Sequence, residues 1–150
     1  MRRSGGRVLV VGGGRAGPLR VWDAETDAWY ELSAMPRHPR GRYVTLNLDL
    51  DTRPDVVGDI NKAPFASRSF SRVYFENVGW MSFSGGNLGA INESARLLMD
   101  GGQLIVETGS GVRPHLDEIE QRMRETGFHF IRVTELKYGR IRVSGRRRVS

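Results

Sequence analysis

The chain has 150 residues, 39 % hydrophobic and 27 % charged, with no cysteine and a formal net charge of +6 at pH 7. That length suits one domain, 1–150, with a full hydrophobic core. The missing cysteines exclude disulfides, thiolate metal sites and a cysteine nucleophile, and there is no apolar run long enough to cross a membrane as a helix.

The three histidines, His38, His115 and His129, are scattered, so no metal site is expected. No apolar segment follows the MRRS start, so no leader is expected and the location predicted is cytoplasmic. All of the 23 basic residues except Lys62 and Lys137 are arginine, with Arg2 and Arg3 at one end and Arg146 to Arg148 at the other. Two readings fit these ends: flexible solvated tails over 1–6 and 146–150, or contacts to RNA or another polyanion through guanidinium forks.

RVLVV, Arg7 to Val11, is a short apolar run ending in glycines, the pattern of a buried parallel strand. Gly12, Gly14 and Gly17 follow in a G-x-G-x-x-G spacing, which permits a tight turn and close approach of a ligand to the backbone. By itself this spacing fits a dinucleotide, a methyl donor or a turn with no ligand. The next stretch, through VWDAETDAW and YELSAMP, resembles a kelch repeat. A propeller blade needs several copies to bury its faces, and no second copy is present. The stretch is therefore read as a short helix from Leu19 or as a strand pair around RVWDAE and AWYELS. Trp22, Trp29 and Tyr30 are its packing residues.

YVTLNLDL, DVVGDI and SRVYFENV read as three further strands. NLGAINESARLLMDGG has Leu88, Ile91, Ala95, Leu98 and Met99 at helical spacing and is predicted as a helix closed by Gly101. QLIVETG is a fifth strand, and RPHLDEIEQRMRETG a second helix ended by Gly127. FHFIRVTEL and GRIRVSG close the chain as strands joined by KYG, short enough for a hairpin. Strands alternating with helices predict an α/β fold whose sheet is mostly parallel, with a final antiparallel hairpin strand. Ligands of such sheets bind outside the carboxyl ends of the strands. Asp49, Asp51, Asp55 and Asp59 crowd that region. Asp51 and Asp55 are read as a solvated turn around Pro54.

The segments VLVVGGGRAG, VTLNLDLD, DVVGDINKAPFASRSFSRVYFENV, ARLLMDGGQLIVETG and TGFHFIRV, in that order, resemble class I S-adenosylmethionine-dependent methyltransferases in their compact form. The resemblance implies a three-layer Rossmann-like sheet with the last strand inserted inside it, and S-adenosylmethionine as cofactor. It implies that Gly12, Gly13 and Gly14 lie along the methionine part, that Asp49 accepts from the ribose hydroxyls, and that Asp59 and Ile60 flank the adenine. Asn77 would face the methyl-transfer site, with Glu76 and Asn77 as weak candidates for catalysis. The chemistry suits these residue types, because an ionised carboxylate is acceptor-only and can take both ribose donors. Glu107 is read as ion-paired with arginines, and Gly79 to Gly86 as a substrate lid or surface packing.

The chain departs from the family in four places. Val10 stands where an acid is usual, Ala16 displaces the third loop glycine to Gly17, and Ser71 replaces an Asp. ENVGW occupies the place of the Asn/Asp-Pro-Pro-Tyr/Phe tetrapeptide of nucleic-acid amino-methylating enzymes. Two rivals follow: a non-catalytic binding domain of the same fold, favoured by Val10, and an NAD-binding oxidoreductase, favoured by the glycine spacing. The chain also reads as an effector (toxin) module of a longer polypeptide, delivered into a target cell's cytoplasm, or as an enzyme whose site is completed by a partner chain or in a homodimer. Asp49→Ala is expected to weaken S-adenosylhomocysteine binding by about 1.5–3 kcal/mol, the loss of charge-assisted hydrogen bonds. Calorimetric titration of the folded variant checks this, and unchanged affinity would move the ribose elsewhere.

Overall fold

The computed structural model describes residues 7–12, 19–23, 28–32, 43–48, 50–76 and 88–149. In chain order these hold β1 (Arg7–Val11), β2 (Leu19–Asp23), β3 (Ala28–Leu32), β4 (Tyr43–Asn47), β5 (Val56–Val57), β6 (Phe70–Phe75), α1 (Gly89–Leu97), β7 (Leu98–Thr108), α2 (Leu116–Glu125), β8 (Phe128–Glu135) and β9 (Ile141–Arg147). Seven strands form one sheet in the order β5-β4-β1-β6-β7-β9-β8. Strands β5, β4, β1, β6 and β7 pair in parallel, and β9 runs antiparallel between β7 and β8. The expected insertion of the last strand inside the sheet is therefore present. β2 and β3 form a separate antiparallel pair, the second of the two readings of that stretch. The backbone of β2 runs beside the Lys137–Gly139 turn that joins β8 to β9.

β1 sits in the middle of the sheet and is buried on both faces, with Leu9 and Val10 both almost fully covered. Leu9 and Val11 point to the main core with Val73, Phe75, Leu104 and Val106. Ile91 and Ala95 of α1 and Ile119 and Met123 of α2 close that face, so both described helices lie on it. Val8, Val10 and Tyr74 form a smaller cluster on the opposite face, flanked by Tyr43 and Ile105. Residues one apart on β1 thus serve different layers, as the alternation of a pleated strand requires.

Two helix boundaries differ from the periodicity. α1 ends at Leu97, because Leu98 turns extended and pairs with Phe70 as the first residue of β7. The apolar spacing carried into Leu98 and Met99, but the burial there belongs to a strand. α2 begins at Leu116, after a 3-10 turn over Ser110–His115 that holds Pro114. Gly127 ends α2 with φ 101°, as expected.

β9 continues through Arg147, so the tail expected from Arg146 is in part sheet. Arg146 lies opposite Gln103, and its Nη1 donates to the Gly101 carbonyl at 3.1 Å. Arg147 Nη1 reaches Asp100 at 2.6 Å, and the Arg148 N–H donates to the Gly127 carbonyl. Because β9 is antiparallel, it leaves the carboxyl ends of the parallel strands behind and delivers these arginines to the opposite end. Arg146 and Arg147 therefore lie at the end of the sheet away from the carboxyl ends of the parallel strands. From Thr108 to Gln103 along β7 the offset is about 17 Å at roughly 3.3–3.4 Å per residue.

β8 is an edge strand whose pairing shifts register between His129 and Arg132. At the shift Phe130 takes φ 52° and is 77 % exposed, its ring tilted against that of His129.

The adjacent glycines Gly101 and Gly102 are needed for different reasons. Gly101 has φ +76° and open space around it, whereas a Cβ on Gly102 would stand 2.9 Å from the Met99 carbonyl oxygen and 3.1 Å from that of Ser71. Backbone atoms cannot yield as a side-chain tip does. Gly102→Ala is expected to cost about 1–3 kcal/mol through overpacking, measured by urea unfolding. A loss below about 0.5 kcal/mol would show that the Leu98–Gly102 turn relaxes freely.

Candidate functional site

The carboxyl ends of β1, β4, β5 and β6 are tied to one another by backbone bonds. The Gly12 N–H donates to Leu46 O at 2.9 Å, Gly58 N–H to Asn47 O at 3.1 Å, and Glu76 N–H to Val11 O at 2.8 Å. Asn47 adds a side-chain tie, its Nδ2 donating to the Gly12 carbonyl at 2.9 Å. Gly12 has φ 84°, a conformation in which glycine carries no Cβ penalty. The chain thus leaves β1 in a direction set by glycine and held by its neighbours on both sides.

Among the sequence-predicted site residues, the structure brings Gly12, Asp59 and Glu76 to this end of the sheet. Gly13, Gly14, Asp49 and Asn77 lie outside the described residues. Asp59 follows β5 and caps a 3-10 turn over Ile60–Lys62: its Oδ1 accepts from the Asn61 N–H at 2.9 Å and from Asn61 Nδ2 at 3.0 Å. Its Oδ2 takes no hydrogen bond among the described residues. Ile60, by contrast, is buried in the main core. Leu48, Leu50 and Val57 stand exposed at the same end.

The turn that carries Asp59 is braced from α1. Glu93 Oε2 accepts from the Ala63 N–H at 2.7 Å, and Arg96 donates to Glu93 at 2.6 Å and to the Ala63 carbonyl at 3.2 Å. The hydrogen bond from Arg96 holds the Glu93 carboxyl below its ordinary pKa range, against the upward push of burial and with help from the Ala63 N–H. Phe65 meets Phe70 edge to face with ring centroids 5.2 Å apart, anchoring the rest of the APFASRSF stretch.

Asp55, exposed as expected of a solvated turn, is also tied to β4. Its Oδ2 accepts from the Thr45 N–H at 2.9 Å, while its own N–H donates to Thr45 Oγ1 at 2.6 Å. β5 is only two residues long, so the Asp55 carboxylate supplies the ladder acceptor that the short strand lacks. Ser71, in place of the family's Asp, donates to the Arg7 carbonyl at 3.2 Å.

The fold aligns with known structures over almost the whole chain. No family model matches the sequence, and no curated protein matches it. A chain of the complex of the Haloferax volcanii Trm112 methyltransferase activator with its partner aligns with 99 % of this chain and 85 % of its own, at TM-score 0.66 and 14 % identity. Phosphoethanolamine N-methyltransferase 2 of Haemonchus contortus, in complex with S-adenosyl-L-methionine, aligns with 99 % of this chain at TM-score 0.63 and 12 % identity. The fold is that of the class I S-adenosylmethionine-dependent methyltransferases. This chain spans only 50 % of the Haemonchus protein. The [4+2]-cyclase SpnF, at TM-score 0.66 and 14 % identity over 97 % of this chain, has the same fold.

Within the methyltransferase fold, the place usually held by an acid near the end of the first strand is filled by Val10, packed with Val8 and Tyr74. Sequence reasoning missed Asn47, and it missed how far the Glu107 pairing extends. Glu107 is 2 % exposed and Arg140 5 %. Arg140 Nη2 donates to Glu107 Oε1 at 3.0 Å, and Arg142 Nε and Nη2 donate to Oε2 at 2.9 and 2.6 Å. The alternation of Arg140 and Arg142 around one apolar residue was the available signal. Burial pushes the Glu107 carboxyl up, but hydrogen bonds from Tyr74 and Arg142 and the charges of Arg142 and Arg140 outweigh it, leaving the pKa lowered.

A carboxyl whose folded pKa lies below its unfolded one stabilises fully above the unfolded value and loses that stabilisation as pH falls through the folded value. Glu107→Gln is expected to cost about 3–5 kcal/mol near pH 7, since it leaves buried Arg140 without its counter-charge. The variant is also expected to lose less stability than wild type between pH 7 and pH 3. Chemical unfolding at the two pH values checks both, and parallel losses in the two proteins would remove Glu107 as an acid-sensitive group.

Proposed function

We propose that the chain binds S-adenosylmethionine at the carboxyl ends of β1, β4 and β5 and transfers its methyl group to an acceptor lying over β6 and β7. The observation that carries this reading is the convergence of Gly12, Asn47, Asp59 and Glu76 at the point where strand order reverses about β1. Such a switch point opens a crevice for a nucleotide-like ligand. Gly12, with Gly13 and Gly14 after it, lets the cofactor approach the backbone, and Asp49 takes the ribose hydroxyls. The free Oδ2 of Asp59 suits the adenine amino group, and exposed Leu48, Leu50 and Val57 offer apolar surface to a flat ring.

Methyl transfer asks for in-line geometry more than for covalent help. The acceptor's lone pair forms the bond to the methyl carbon as the carbon–sulfur bond breaks, and the sulfonium becomes a neutral thioether. The protein's part is to hold the two reactants in line and, for a weakly acidic acceptor, to take the proton. Glu76, half-buried beside the end of β1, and Asn77 are the candidates for contact with the acceptor. The placement of Arg146 to Arg148 at the far end of the sheet turns the acceptor away from an RNA gripped by those arginines. The similarity to a chain from an activator complex favours a partner chain as a further component.

A second reading keeps the fold and the ligand but not the methyl transfer. Val10 and the similarity to a cyclase favour it. Calorimetry with S-adenosylhomocysteine and with NAD, followed by methyl-label transfer to candidate acceptors, separates the readings. Binding of S-adenosylhomocysteine but not NAD is expected, and Asp59→Ala should weaken it by about 1.5–3 kcal/mol. Binding of neither ligand would refute the cofactor assignment, whereas binding without transfer to any acceptor would favour the second reading.

A further inference from the structure

The group around Glu107 holds more positive charge and more donors than Glu107 needs. Glu107 is ionised and receives Arg140, Arg142 and the Tyr74 hydroxyl, so its two oxygens are well supplied. Within the cluster itself two guanidinium groups, which stay protonated, face the one carboxylate of Glu107. Each guanidinium carries about five N–H donors. Arg140 gives Glu107 only Nη2, and its buried Nε has no hydrogen-bond partner among the described residues. Arg142 gives Nε and Nη2 and keeps Nη1 unbonded among the described residues, on a side chain that is 41 % exposed. A buried guanidinium donor left without a partner is costly, and such a group calls for a partner that the described residues do not supply.

The place of the cluster is equally specific. Thr108 pairs with Ile141, and Glu107 with Arg142, at the carboxyl end of β7 and the start of β9. Phe75 pairs with Val106, so Glu107 stands level with Glu76 on the adjacent strand. Arg140 is delivered there by the tight Lys137–Gly139 turn, in which Tyr138 and Gly139 both have left-handed φ. The two guanidinium groups are therefore on the acceptor side of the site, at the end of the sheet where β1 leaves into its glycine loop.

We propose that Arg140 and Arg142, held in place by Glu107 and Tyr74, form an oxyanion subsite for a carboxylate or phosphate group of a small-molecule acceptor. Glu107 orients the two forks. The incoming oxyanion takes the N–H groups that Glu107 does not use. The assignment of this anion as part of the methyl acceptor rests on the methyltransferase reading above; the binding of an oxyanion does not. A pair of forks in which Arg140 is buried and Arg142 partly exposed also selects a compact terminal anion over the backbone of a structured nucleic acid, which could not bring its phosphates to Arg140.

Binding of inorganic phosphate and, separately, of acetate to the whole protein is measured by calorimetry, with chloride as the control at matched ionic strength. Saturable one-site binding of at least one of the two oxyanions is expected, and the arm that binds more tightly identifies the group. Arg142→Gln should weaken it tenfold or more, Arg142→Lys should leave an intermediate affinity, and Arg140→Gln should abolish it. Arg142→Gln decides the matter if Arg140→Gln fails to fold, since Glu107 then keeps Arg140 and Tyr74. No saturable binding beyond the chloride control, or equal affinity in wild type and Arg142→Gln, would overturn the subsite. Titration of the wild type with S-adenosylhomocysteine runs beside it. Oxyanion binding without S-adenosylhomocysteine binding would sink the methyltransferase reading and leave the subsite standing.

Discussion

Everything at this site depends on how β1 is confined. It is covered on both faces and hydrogen-bonded along both edges, by β4 on one side and β6 on the other. A strand held that completely has only its ends as outlets, and Val11 is followed by a glycine with positive φ. The bonds to Leu46 and from Glu76 fix the heights of β4 and β6 relative to that exit. The polar groups around that exit are thus positioned by backbone pairing where strand order reverses.

Arginine–carboxylate pairings stand at both ends of the sheet. At one end stand Asp59, Glu76 and the paired Glu107; at the other, Arg68 and Arg147 share Asp100, and Arg146 reaches the Gly101 carbonyl. The same antiparallel β9 serves both ends, with Arg140 and Arg142 around its start and Arg146 and Arg147 at its finish. Among the described residues, Arg140 and Arg142 are bonded to Glu107 while Arg146 and Arg147 stand at the opposite end of the sheet. The Glu93–Arg96 pair does a related task sideways, fastening to α1 the Asp59 turn that follows the two-residue β5.

The parts of this arrangement that were legible in the sequence are those written as continuous runs. RVLVV, SRVYF and GRIRV are apolar or alternating stretches bounded by turn residues, and each became a strand. The helix boundaries were less legible because LLM satisfies helical spacing and strand burial equally, and Leu98 is decided by its pairing with Phe70. Gly12 and Asp59 could be found from motif spacing. Asn47 could not, since its partner Gly12 is brought to it only by the pairing of β1 with β4. Glu107 was expected among arginines, but which arginines follows from the register of β7 against β9, a consequence of inserting the last strand.

The displaced register in β8 bears on solubility. β8 is the outermost strand on its side of the sheet, and a long flat edge offers free backbone donors and acceptors to any strand that comes near. The shift at His129–Arg132 interrupts that row, with Phe130 held in a left-handed conformation that no neighbouring strand can continue. Deleting the one extra residue would restore a regular ladder with β9 and present an uninterrupted edge to solvent. The left-handed backbone at Phe130 thus breaks the row of edge donors and acceptors that a second strand would pair with, by bending the strand.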